Sequence, residues 1–136
     1  MNEDSIQLAA ESIAKQKNKE SKITQLRSEI PGEKIEYEKL VEEMKRTDLS
    51  EEDLEAISEF KESFEMALIR KSKEIIPLLE KEIDMYQKDL NATEKHLLAS
   101  SDDEASLTYK GQIDYLNEKL NNLHQEIIEY QNILKL

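Results

Sequence analysis

IPLLEKEIDMYQKDLNATEKHLLASSDDEASLTYKGQIDYLNEKLNNLHQEIIEYQNIL, residues 76–134, decides the fold of this chain. Ile76, Leu79, Ile83, Tyr86, Leu90, Thr93 and Leu97 recur at alternating spacings of three and four, and so do Ile113, Leu116, Leu120, Leu123, Ile127, Tyr130 and Leu134. That period places a narrow apolar stripe on each of two helices, and such a stripe is stable only when another helix covers it. The polar residues Ala99 to Asp102 separate the two repeats and supply a place to reverse. The spacing therefore predicts an antiparallel coiled-coil hairpin, with Leu90 opposite Tyr109, Tyr86 opposite Ile113, Ile83 opposite Leu116, Leu79 opposite Leu120 and Ile76 opposite Leu123.

Working outward, the repeat continues upstream through Leu54, Ile57, Phe60, Phe64, Ala67 and Leu68. Pro77 interrupts it, but the apolar spacing persists on both sides, which predicts one kinked helix over residues 50–98 and not a terminus. Its start is marked by Leu49-Ser50-Glu51-Glu52-Asp53-Leu54, where Ser50 is placed to cap, three acids fill the first turn, and Leu49 can staple onto Leu54. The C-terminal helix is expected over residues 101–136, capped by Ser100 or Ser101, with Gly111 tolerated in its interior at about 1 kcal/mol relative to alanine.

Upstream of Ser50 the signal weakens. Ile6, Ala9, Ile13, Ile23 and Ile30 approximate a seam whose middle holds Gln16 and Glu20, and Ile35, Tyr37, Leu40, Val41 and Met44 form a second short stripe. Pro31-Gly32 lies between them, because proline lacks an amide donor and disfavours helix before it. Residues 1–48 are thus expected to form two N-terminal helices broken there, the break either reversing the chain, so that two hairpins share the long helix, or kinking it into a three-helix bundle. Lys15, Lys17, Lys19 and Lys22 cluster in the weak middle and fit a solvated face.

Composition agrees with long helices. The 136 residues are 38% apolar and 37% charged, against about 45 to 50% and about 25% in ordinary globular domains. With two glycines and two prolines, a sheet fold would lack its turns. The expectation is a single elongated all-α domain over residues 1–136. A net charge of −12 argues against direct binding of nucleic acid or an anionic membrane. Absence of cysteine removes disulfides, thiolate metal sites and thiol nucleophiles, no apolar run reaches membrane-spanning length, and MNEDSIQLAAES lacks the features of a signal peptide. The expected setting is intracellular, cytoplasmic or, in a eukaryote, nuclear.

Chemistry-bearing motifs are missing. The isolated glycines Gly32 and Gly111 open no phosphate-binding loop, His96 and His124 stand apart, no Glu-x-x-His occurs, and the carboxylates fall mostly outside the seams. Asn91-Ala92-Thr93 fits the glycosylation triplet but lies within a helix. Neither an enzyme nor a cofactor is expected. The apolar stripe broadens around residues 66–79 and again near the C-terminus, where the antiparallel register brings the two broad parts together. Met66, Leu68, Ile69, Ile75, Leu78, Ile128, Ile133 and Leu136 are therefore the candidate interaction surface, for a homodimer or a heteromeric complex. The leading expectation is a non-enzymatic scaffold or assembly subunit. A second is an acidic inhibitor, of the kind phages encode, that blocks the nucleic-acid-binding surface of a basic protein.

The other candidate is the hairpin tip, Asp102, Asp103 and Glu104. An acidic end on a coiled-coil arm resembles the Gre and Dks type transcription factors, and that resemblance implies a tip entering the secondary channel of RNA polymerase. It covers the arm alone. The tip does not reproduce either family's motif, and the chain has neither a Gre-like C-terminal domain nor a zinc-binding region.

Overall fold

The structure, a computed structural model, describes residues 3–136; at positions 3, 4, 16, 17, 19 and 20 it describes the helix alone. The chain is all-α. Its described residues form α1 (Glu3–Glu43), α2 (Glu51–Ala99) and α3 (Asp103–Ile133). Two compact units divide it, Met1–Ile75 together with Leu136, and Ile76–Lys135.

In the first unit, α1 passes through Pro31 and Gly32 as one helix of 41 residues, so the two expected N-terminal helices are one and the chain does not reverse there. Pro31 is exposed, so its ring stands on the outer side of the helix and displaces no core residue. Gly32 does not adopt a positive φ. The three core positions just upstream, Ile23, Leu26 and Ile30, are buried, and burying each is worth about 1.5 to 3 kcal/mol. Packing of that size outweighs the cost of one proline.

Cross-helix contacts fix how α1 and the first part of α2 meet. Lys22 pairs with Glu74 at 3.1 Å, Lys71 with Glu29 at 2.9 Å and with Glu33, and Lys61 lies 6.0 Å from the Tyr37 ring centre. Partner numbers fall on α1 as they rise on α2, so the helices are antiparallel. This register brings Ile23, Leu26 and Ile30 level with Leu68, Ser72 and Ile75, all of them buried.

α2 begins as the sequence dictates. The Asp53 amide donates to Ser50 Oγ at 3.1 Å and the Leu54 amide to the Ser50 carbonyl at 3.0 Å. Ser50→Ala is accordingly expected to destabilise the fold by about 0.5 to 2 kcal/mol, measurable as a lower midpoint in urea unfolding. Pro77 lies inside α2 with its ring exposed, and the helix continues on both sides.

In the second unit, α2 ends at Ala99 and α3 starts at Asp103. The α2 side chain Leu90 forms a buried cluster with Leu116 and Leu120 of α3, and Ile83, Tyr86 and Ile113 pack against it. His96 stacks on Tyr109 with ring centres 5.7 Å apart. Tyr109 thus meets His96, not Leu90 as the spacing alone suggested; Leu90 instead packs with Leu116 and Leu120, farther along α3. The α3 cap also differs from expectation: Asp102, not Ser100 or Ser101, accepts from the Glu104 amide at 3.1 Å. Farther along α3, Leu123, Ile127, Tyr130 and Ile133 are buried.

Candidate functional site

The eight apolar candidates separate into three groups. Leu68, Ile75 and Ile133 are buried in the folded chain, Leu68 with 0% exposure, and pack in its core. Ile69 and Leu78 are half-buried. Met66, Ile128 and Leu136 are exposed. Much of the broad apolar stripe is covered within the chain itself.

At the tip, the three acids serve the helix. Asp102 caps α3 through its carboxylate and its carbonyl accepts from the Ser106 amide at 2.9 Å, while Asp103 and Glu104 occupy the first turn. Acids there are favoured by the unsatisfied amides and the helix dipole. The exposed Leu98 and Leu107 lie within five residues of Asp102.

A site the seam analysis did not single out lies at the α1–α2 connection. A groove of about 590 Å³ is lined by Leu40, Glu43, Arg46, Asp48, Leu49, Asp53, Ala56, Ile57 and Phe60. Its position follows from helix length. α1 ends at Glu43, and Phe60, which the seam pattern assigned to the buried stripe, is 63% exposed because Lys61 takes the half-buried position between Ile57 and Phe64. Arg46 reaches Asp48 with two hydrogen bonds, Nε to Oδ1 at 3.1 Å and Nη2 to Oδ2 at 2.8 Å, and lies 3.8 Å from Glu43. The Arg46 hydrogen bond holds the Asp48 carboxyl below its usual pKa and pushes the guanidinium up in turn.

With that geometry in view, comparison with known proteins gives one result. No family model, no curated protein and no solved structure matches this chain.

A second cluster missed by sequence reasoning lies between α1 and α2. Lys71, its side chain 14% exposed, is held by Glu29 and Glu33. The Glu33 hydrogen bond raises its pKa against the opposing effect of burial. Glu33 Oε2 and Ser72 Oγ are buried without a hydrogen-bond partner, a cost that one lysine does not remove. The signal was legible in principle, because Lys71 falls between Leu68 and Ile75 on a buried stripe, facing two glutamates four residues apart.

Among the described residues, no group of three or more His, Asp or Glu side chains could hold a metal ion, and no helix is long and apolar enough to cross a membrane.

Proposed function

We propose that this chain is a non-enzymatic interaction protein, a scaffold or assembly subunit whose helices associate with partner helices as coiled coils. One observation carries this reading. On α1, Ile6 and Ile13 stand on one face, seven residues apart with Ala9 between them, and are 55% and 58% exposed. Every described side chain from Ser5 to Lys15 is exposed. A helical segment without a packed apolar face is marginal in water, whereas covering two isoleucines supplies about 1.5 to 3 kcal/mol each. A second copy presenting the same stripe is the simplest cover, since a twofold interface repeats one patch on both partners.

Sedimentation of the parent and of an Ile6→Ser/Ile13→Ser variant tests it. The parent is expected to self-associate reversibly, and the variant to be monomeric with its remaining helix intact by circular dichroism. Equal mass for the two chains removes the stripe as an association surface.

A further observation favours an acidic partner-blocking role. Residues 40–60 contain eight acidic and two basic side chains, which is half of the net charge of −12 in 21 of 136 positions. A surface of this kind competes for the basic face of a nucleic-acid-binding protein, and binding through it weakens steeply with salt.

A further inference from the structure

We infer that the groove at the α1–α2 connection docks a basic, amphipathic segment of a partner protein, which seats an apolar side chain against Leu49, Ile57 and Phe60 and a cationic group against Asp48 and Glu43. The inference rests on the proposed interaction role and gives it a site and a ligand chemistry. Three features of the groove define that chemistry.

Its apolar wall is available. Phe60 is 63% exposed, and the groove volume of about 590 Å³ exceeds what one side chain fills. Exposed aromatic surface beside a concavity is the usual anchor point of a protein interface.

Its rim selects cations. Glu43, Asp48 and Asp53 line the groove against a single cation, Arg46. A segment bearing acids is repelled, and an uncharged apolar segment leaves these carboxylates without compensation, so the complementary ligand is basic.

The chain itself shows which basic group these carboxylates accept. Arg46 donates to Asp48 through two nitrogens and approaches Glu43, the forked geometry in which a guanidinium meets a carboxylate. Arg46 and Asp48 are both more than half exposed. A pair so open to water is held weakly, and an arriving arginine can replace it. Arg46 is thus an internal competitor for the partner's cation. Its removal strengthens docking, an outcome opposite to that of removing an ordinary contact residue.

The test uses the full ¹⁵N-labelled chain and two synthetic peptides of equal composition, about 14 residues of leucine and arginine, long enough to form a helix on binding. One peptide gathers its leucines on a single helical face, and its isomer spreads them around the helix. Amide shifts from the first are expected over residues 40–60, with affinity about tenfold above that of the isomer. Phe60→Ser, an exposed position whose change leaves the helical content intact, is expected to weaken binding about tenfold, and Arg46→Ala to strengthen it severalfold. Shifts centred on residues 98–107 or spread over the acidic surface, equal binding of the two isomers, or a Phe60→Ser chain that binds as the parent does would each overturn the proposal. Association through Ile6 and Ile13 is read separately by sedimentation, so failure of the groove and failure of the interaction role are told apart.

Discussion

Leu68→Ala is expected to lower the free energy of unfolding by about 3 to 5 kcal/mol without changing the mass of the folded chain. Leu68 has no exposed surface, and the antiparallel register brings it level with Leu26 and Ile30, themselves buried. Deleting its side chain beyond Cβ leaves a cavity that two packed helices close only in part. An association-surface residue behaves in the opposite way, because its loss changes assembly and leaves the stability of the monomer nearly untouched. Urea unfolding followed by far-UV circular dichroism, together with sedimentation of the folded variant, separates the two roles. A chain that keeps its unfolding midpoint but halves in mass would place Leu68 at a subunit interface after all.

Leu68 marks the point at which a single sequence stops being informative. Alternating three-and-four spacing identified helices because it reports a period, and a period is local. The capping serine at Ser50 was legible for the same reason, since an N-cap and the first turn it serves lie within four residues. What covers a stripe is not local. Leu68, Ile75 and Ile133 announced apolar surplus, yet nothing in their spacing tells whether the cover comes from the same chain or from another. Pro31-Gly32 left reversal and kinking open for a related reason. Backbone preference is local and the burial of Ile23, Leu26 and Ile30 is not, and with the proline turned to water the preference is the smaller quantity. Phe60 failed in the other direction, counted in the stripe although Lys61 takes the half-buried position between Ile57 and Phe64, which leaves the ring turned outward.

Lys71→Ala is expected to cost about 2 to 3 kcal/mol, somewhat less than the about 3 to 5 kcal/mol of breaking a fully buried pair, because Glu29 keeps contact with water. Lys71 joins both carboxylates, so its removal leaves Glu29 and Glu33 one helical turn apart with no cation between them. The dependence on pH identifies the cause. Glu29 has a lowered pKa, first through the hydrogen bond donated by Gln25 and then through Lys71. Its stabilising contribution is therefore complete above the ordinary carboxylate range and fades as pH falls through the lowered value. Lys71 has a raised pKa, chiefly through Glu33, so its contribution is complete below the ordinary lysine value and fades as pH rises through the raised one. The parent should exceed the variant by a constant margin around neutrality, and that margin should narrow in strong acid, where protonation also relieves the repulsion left in the variant, and again in strong alkali. Adding Glu29→Gln and Glu33→Gln to Lys71→Met should recover much of the loss, since an uncharged set leaves no ion unpaired. A margin independent of pH would instead assign the effect to the packing of the lysine stem against its neighbours, and would make the triad a contact between surfaces and not between charges.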